Sequence, residues 1–430
     1  MHIEMRRVFH PVGQGAFYSE SFYTGFGTFN MVYDCGSMSK GVDIDNIISK
    51  SFHKDNGNDI DILFISHFDS DHVNKIALLK KSVNKIKKKI KKVIMPLIPD
   101  EDKGILLAFN IASNNITSNN IASNNEYQNY AKIISNPTDF FGKETKIIQV
   151  REREGGSPRE NPEEAQATTN SNETRTSYID SVDSGTNIHF HDSHDFAIPF
   201  WVYKPYNYKH KGRNRELIDK FKSKNISIEK LLDIEYINEN IKDIRACYRE
   251  IKGNINQNSL VLYSNYQDSL VLHSLVLHSN CLKINLCLSR CADYGAIFHR
   301  YDCWHCHRRI ISPGCIYTGD VNLAKIRSDF KSGIIEEYRD HRPVGTIQVP
   351  HHGSKHGFDI GFFDDFKDSK CGIISPVSFG LSNPYRHPSS MVIEKLRENH
   401  FPVLVTNDGN SLIQRFIFQF NRLNKISSNP

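Results

Sequence analysis

What this sequence lacks narrows its class before any motif is read. No apolar run approaches the roughly 20 residues of a membrane-spanning helix. The opening Met1-His2-Ile3-Glu4-Met5-Arg6-Arg7 has no apolar stretch behind its charges, so it reads as free of a secretory signal. Nine cysteines is an odd count, and they crowd late in the chain. That distribution predicts reduced thiols or metal ligation in a cytoplasm, not a disulfide framework. A strong charge of either sign is also missing. The 54 Lys+Arg against 49 Asp+Glu leave a net charge of +5, weak support for a polyanionic partner. No Ser/His/Asp order and no cysteine-nucleophile motif stands out. The hydrophobic fraction of 39% over 430 residues suits a folded protein, either one large domain with insertions or two domains.

One stretch carries an unusual density of ligand-type side chains. Ile62-Leu63-Phe64-Ile65 is an apolar run that reads as a buried strand, and it leads into Ser66-His67-Phe68-Asp69-Ser70-Asp71-His72. Imidazoles and carboxylates this close suit zinc or manganese, and without a cation to gather them they would repel or strand one another. The competing reading is a polar loop in which Asp71 or Ser70 caps the next helix. A cap uses one such side chain, whereas His67, Asp69, Asp71 and His72 are all present.

The flanking chain alternates strands and turns. Val8 to Gly15 reads as a strand entering a glycine turn, and Phe22 to Phe29 with Asn30 to Tyr33 as a hairpin ending in Asp34-Cys35-Gly36-Ser37. Asp43 to Ser51 reads as a helix, and helical spacing resumes after His72. Lys80 to Lys92 reads as an amphipathic basic helix, able to grip a phosphate backbone or simply a solvated lysine face. Residues 101–255 carry weaker signals. They include an Asn/Ser-rich repeat from Ile111 to Asn125 and a polar stretch from Arg151 to Thr176 that reads as a mobile loop. The chain therefore divides into 1–100 and 256–430 as two halves of one domain, with 101–255 as an insertion. Three Ser-Leu-Val-Leu copies begin at Ser259, Ser269 and Ser274 and read as strand. Cys303-Trp304-His305-Cys306-His307 raises a possible structural zinc on Cys303 and Cys306, with ordinary reduced thiols as the alternative. Further on, Thr318-Gly319-Asp320, His351-His352-Gly353-Ser354 and Asn383-Pro384-Tyr385-Arg386-His387-Pro388-Ser389 follow short apolar runs. Strand ends that bring Asp and His together have the form of a catalytic metal site.

Taken in order, Val12-Gly13-Gln14-Gly15, Asp34-Cys35-Gly36-Ser37, Ser66 to His72, Thr318-Gly319-Asp320, His351-His352-Gly353-Ser354 and Asn383 to Ser389 resemble the metallo-β-lactamase superfamily. The chain is most similar to the branch typified by the hydrolase domain of competence-type DNA-uptake proteins. The resemblance implies an α/β (α+β) fold, an αββα sandwich with a large mid-chain insertion. It also implies a dinuclear site for two divalent ions, zinc or manganese, with a metal-bridging hydroxide as nucleophile. Carried over, His67 and Asp69 bind the first metal, Asp71 and His72 the second, and Asp320 bridges. His387 is the favoured further ligand, with His351 and His352 as ligand or proton donor; Asp71 orients the nucleophile. A further ligand among His189, His191 and His194 stays open. Two departures stand out. Val73-Asn74-Lys75 replaces the usual glycines, and Asp69 replaces the usual histidine, which favours a harder ion such as manganese. The expected activity is that of a cytoplasmic phosphodiesterase or nuclease with a nucleic acid substrate. The alternatives are a small-ester, lactone or phosphocholine-type hydrolase, or a metal-bound scaffold or sensor with protein partners in a bacterial defence or DNA-processing system.

Overall fold

In the computed structural model the described residues are 2–25, 27–53, 59–113, 125–153, 179–189, 201–208, 213–250, 259–266, 270–279, 282–287, 310–333, 344–367 and 371–420. The chain opens with β1 (His2–Phe9), β2 (Phe17–Thr24), β3 (Gly27–Cys35), α1 (Ile44–His53) and β4 (Ile60–Phe64). It continues through α2 (Ser70–Val73), α3 (Ile76–Lys85), β5 (Ile90–Pro96), α4 (Asp100–Ser113), α5 (Asn125–Ser135), α6 (Pro137–Phe141), β6 (Lys146–Val150) and β7 (Ile179–Val182). Next come β8 (Trp201–Tyr208), α7 (Arg213–Ser223), α8 (Ile234–Glu239), α9 (Ile241–Glu250), β9 (Ser259–Tyr266), β10 (Leu270–Ser279), β11 (Leu282–Cys287), β12 (Ile310–Ile311) and β13 (Gly314–Tyr317). The last part holds α10 (Leu323–Lys331), β14 (Val344–Ile347), α11 (Ile360–Asp365), β15 (Cys371–Gly372), β16 (Ser375–Ser378), α12 (Ser390–Glu398), β17 (Val403–Thr406) and β18 (Leu412–Phe420).

A ten-stranded sheet runs β11-β10-β18-β1-β2-β3-β4-β5-β6-β7. It is antiparallel up to the β2–β3 pair and parallel from β3 onward. A second sheet runs β14-β13-β9-β8. Backbone bonds from Ile347 N to Ile374 O and from Val349 N to Pro376 O tie the β16–β17 pair to its β14 edge.

Alternating side chains explain why the two sheets stack. Along β9, Leu260 and Leu262 face the first sheet, where Ile62, Phe64, Met31 and Tyr33 meet them, while Val261 and Tyr263 face away. On β13, Cys315 and Tyr317 point inward and Ile316 outward. This period of two commits both faces of each strand to apolar contact. On the far side of the first sheet, Val32, Leu63, Val93 and Ile147 pack under α1 and α3 to α9. On the far side of the second, Ile316 and Ile347 pack under α10, α11 and α12 through Phe330, Phe362, Phe363 and Leu396. The result is a mixed α/β architecture with helices outside and sheets inside. Among the described residues, no helix is long and apolar enough to cross a membrane.

A buried charge locks the two sheets together. Glu20 on β2 accepts from Arg7 Nε at 2.8 Å, from Tyr317 and Tyr203 hydroxyls at 2.8 Å each, and from Ser264 Oγ at 2.9–3.0 Å. Arg7 also donates to Gln414 Oε1 at 3.0 Å and to Pro313 O at 2.7 Å. Arg7 and Glu20 are fully buried, and such a pair persists only when each polar atom is satisfied in this way.

Residues 101–255 contribute to both sheets. β6 and β7 extend the first sheet, β8 is the edge of the second, and α4 to α9 cover the first. The basic run from Lys80 to Lys92 is not one helix. The α3 helix stops at Lys85, Lys87 adopts φ +59°, and Ile90 starts β5 opposite Ile60. Pairing with β4 outweighs the helical pattern of Ile86 and Ile90, because a strand there continues the parallel sheet. Several of its lysines are engaged: Lys89 with Glu144 at 3.1 Å, Lys91 with Asp61 at 2.8 Å, and Lys80 with Phe140 O. Most of the 111–125 repeat and the 154–176 stretch lie outside the described residues, as do Cys303 and Cys306.

Candidate metal centre

The carboxyl ends of β4, β13, β14 and β16 meet at one edge, where open α/β sheets bind their ligands. Leu260 N donates to Ser66 O at 2.7 Å, drawing the two sheets together there. The β4 chain leaves the sheet as Ser66-His67 and turns into α2. Asp69 holds the N-cap position of α2 but makes no side-chain cap bond. The cap reading named Asp71 or Ser70, and both lie inside α2 and not at its N-cap.

Gly36 explains the turn's position. A Cβ there would stand 2.4 Å from the backbone C and O of Asp71 and 2.6 Å from the His72 carbonyl carbon. Only a residue without a side chain lets the loop after β3 seat against the ligand turn. Ala16 N donates to Asp71 O at 3.0 Å from the neighbouring glycine turn.

Two groups of ligand atoms form, and in each the atoms lie within 4.8 Å of one another: His67, His72 and Asp320, and Asp71, His72 and His352. Asp320 divides its oxygens between the imidazoles. Oδ1 is 3.2 Å from His72 Nε2, and Oδ2 is 3.8 Å from both His67 Nε2 and His351 Nδ1. Asp69 Oδ2 lies 3.5 Å from His67 Nε2. Asp71 Oδ2 lies 3.0 Å from His352 Nε2. His387 stands outside both groups; its ring centroid is 5.8 Å from that of His351. His189 is also outside them, with Nδ1 donating to Trp201 O at 3.1 Å, and His191 and His194 lie outside the described residues.

Hydrogen bonds on the far side of the rings fix which nitrogen faces the centre. His352 Nδ1 is 2.8 Å from Ser378 O, and a carbonyl only accepts, so Nδ1 carries a proton. His72 Nδ1 is 2.8 Å from Asp34 Oδ2 and donates to it. Ser66 Oγ donates to Asp34 Oδ2 at 2.6 Å, which leaves it to accept from His67 Nδ1 at 2.8 Å. All three rings thus turn Nε2 towards the carboxylates of Asp71 and Asp320, a nitrogen that carries a proton in the absence of a cation and offers its lone pair to one. His67 Nε2, His72 Nε2 and Asp320 Oδ1 are buried and have no aligned hydrogen-bond partner among the described residues. A pocket lined only by acceptors needs positive charge inside it.

The electrostatics agree. Burial alone would lower His72, but Asp320 and Asp34 hold it well above the usual imidazole value. Burial also opposes the charge on His352, and its hydrogen bond to Asp71 raises it above the ordinary value. Asp320 is desolvated, yet His351, His72 and His67 keep its carboxyl well below the usual range. Asp71 is likewise desolvated, and the His352 bond with His72 holds it at about 2. His387 runs the other way: burial, then His351 and His352, lower it to about 4. Where no cation is bound, protons on Nε2 play its part; a divalent ion competes for the same lone pairs.

Four residues that were not named as site residues position the ligands from behind. Asp34 is fully buried at φ +57° and also accepts from Ser66 N at 2.7 Å. Its signal was an acid at the end of an apolar strand, in the Asp34-Cys35-Gly36-Ser37 motif. Ser66 relays Asp34 to His67. Ser259, first residue of the first Ser-Leu-Val-Leu copy, accepts from Asp320 N at 3.1 Å and sits 3.3 Å from His67 Nδ1. Ser378 acts through its carbonyl, which no side-chain pattern reveals. Ser70 adds a link outward, donating to Glu126 on α5 at 3.4 Å. The backbone at His351 and His352 is itself unusual, with φ of +48° and +53°. Strain of this kind, outside glycine, collects at working sites.

No protein-family model matches the chain, and no curated protein matches it either.

Proposed function

We propose that this chain is a metal-dependent hydrolase with a metallo-β-lactamase-type αββα sandwich, acting on phosphodiesters and most of all on nucleic acid. One observation carries the metal: three imidazoles whose Nδ1 atoms are tied to acceptors present Nε2 to the buried carboxylates of Asp71 and Asp320. In this reading His67 and Asp320, with Asp69 beside His67, would hold one ion, and Asp71, His72 and His352 the other. Two divalent cations there would supply Lewis acidity and a more acidic water. Asp71, with one side of its carboxylate turned to His352, orients that water. His351 stands at the open side of Asp320 and delivers a proton to the leaving oxygen. His387, adjoining His351 and neutral near pH 7, leaves that proton free to move. The phosphodiester preference rests on the motif order that resembles the DNA-uptake branch, and on a mildly basic chain.

The test is a substrate panel with zinc- or manganese-loaded protein: single-stranded DNA, RNA, small phosphodiesters, lactones and carboxylic esters. Cleavage of phosphodiesters, lost in Asp320→Asn, supports the reading. Cleavage of esters or lactones alone overturns the substrate class. A metal-loaded chain that turns over none of them overturns the enzyme.

A further inference from the structure

The segment Leu381–Pro388 at the mouth of the centre presents an exposed ring. Tyr385 is 69% exposed, while Tyr18, Tyr33, Tyr203, Tyr206 and Tyr317 are all buried. The segment is held firmly. Asn383 Nδ2 donates to Gly380 O at 2.6 Å and to His387 O at 2.8 Å, and its Oδ1 accepts from His387 N at 2.9 Å. Leu381 N donates to Asp408 Oδ2 at 3.3 Å, and Ser389 N to Gly353 O at 2.9 Å. A large aromatic on a pinned turn costs little entropy when a ligand covers it.

Its place relative to the centre is informative. The Tyr385 ring stacks on His387 with centroids 5.8 Å apart and planes at 17°. His387 is 5.8 Å from His351, whose Nδ1 is 3.8 Å from Asp320 Oδ2. Two ring-to-ring steps therefore connect the exposed ring to the carboxylate of Asp320. A base stacked at the outer end of this chain of contacts has its phosphate side directed at the inner end. Arg386, exposed at the next position, adds a guanidinium that matches a phosphate.

We propose that Tyr385 and Arg386 form a nucleobase platform: a base of a single-stranded nucleic acid stacks on Tyr385 while its phosphate occupies the centre at Asp320. This rests on the hydrolase reading above and names its substrate class. Stacking on an aromatic residue is sequence-tolerant, so the platform accepts any base.

The experiment is calorimetric titration of the manganese-loaded full chain with the dinucleotide pdTpdT and, separately, with inorganic phosphate. Wild type is compared with Tyr385→Ala and Tyr385→Phe. The platform predicts that Tyr385→Ala weakens pdTpdT about 5- to 150-fold, leaves inorganic phosphate unchanged, and that Tyr385→Phe binds as wild type. Equal pdTpdT affinity in wild type and Tyr385→Ala overturns the platform while leaving the hydrolase reading intact. Equal weakening of both ligands shows that Tyr385 supports the centre and not a base, which also overturns it. Wild-type protein that binds neither manganese nor phosphate overturns the hydrolase reading, and the platform falls with it.

Discussion

Replacing Asp34 by asparagine tests whether the centre is preorganised from behind. Asp34 Oδ2 accepts from His72 Nδ1 and Ser66 Oγ, and Oδ1 accepts from Ser66 N. Asparagine is isosteric and tolerates φ +57°, so the backbone is not the variable. The amide nitrogen has two places to go. Facing Ser66 N, it sets donor against donor. Facing His72, it forces Nδ1 to accept, which moves the ring proton to Nε2 and removes that lone pair from the centre. Loss of such an outer partner costs about 10- to 100-fold in metal affinity, or about 1.4–2.7 kcal/mol. The fold should lose a further 1.5–3 kcal/mol or so, because a hydrogen bond to a buried carboxylate is gone. The assay is competition against a chromophoric chelator, with urea unfolding of metal-free protein run in parallel. Ser66→Ala, which breaks the relay to His67 and removes one donor from Asp34 but leaves His72 bonded to Asp34, should show a smaller affinity loss. Unchanged metal affinity in Asp34→Asn, with the fold intact, refutes the argument that hydrogen bonds behind the rings set the ligand lone pairs.

Three other outcomes follow from the same contacts. Gly36→Ala should displace the Asp71–His72 turn, since its Cβ meets backbone at 2.4 Å, and so lower metal affinity at least 10-fold in the same chelator assay. Glu20→Gln should cost about 3–5 kcal/mol in urea unfolding, because buried Arg7 loses its carboxylate; a cost below about 1 kcal/mol would show that the network is dispensable. His10, lowered to about 3 by burial and then by Arg6, binds its proton more readily unfolded than folded. Its contribution to stability is therefore present above its unfolded value of about 6.5 and is lost as pH falls towards 3, at up to about 1.4 kcal/mol per unit. His10→Phe should flatten the fall in unfolding free energy between pH 6.5 and 5, and an unaltered slope would assign the acid loss to other groups.

The strands that carry the ligands were readable because their apolar runs are short and end in polar motifs. Ile62 to Ile65 and the hairpin ahead of Asp34 are such runs. Their two buried faces come from stacking between a second sheet and a helical layer, which local periodicity anticipates only as uninterrupted hydrophobicity. Lys80 to Lys92 misled for the opposite reason. Ile86 and Ile90 are four apart, yet Ile90 is fixed by its pairing with Ile60, a contact 30 residues distant in sequence. The stretch after residue 100 looked inserted because β6, β7 and β8 are separated by helices and polar segments, although all three belong to the sheets. Of the candidates named from residue type and the family resemblance, the structure gathers His67, Asp71, His72, Asp320 and His352 into the two groups and leaves Asp69, His351 and His387 outside them. What tells His352 from His387 is geometry: His352 alone has its Nδ1 on Ser378 O and its Nε2 on Asp71. Ser259 was hidden as the first residue of a three-copy Ser-Leu-Val-Leu repeat.

The most direct test of the central claim is metal content. Purified full chain, measured by inductively coupled plasma mass spectrometry beside the Asp71→Ala/His72→Ala variant, should carry about two equivalents of zinc or manganese, lost in the variant while its circular dichroism is kept. Wild-type protein that is folded, metal-free and unable to take up either ion, or metal that survives the double substitution, would contradict it.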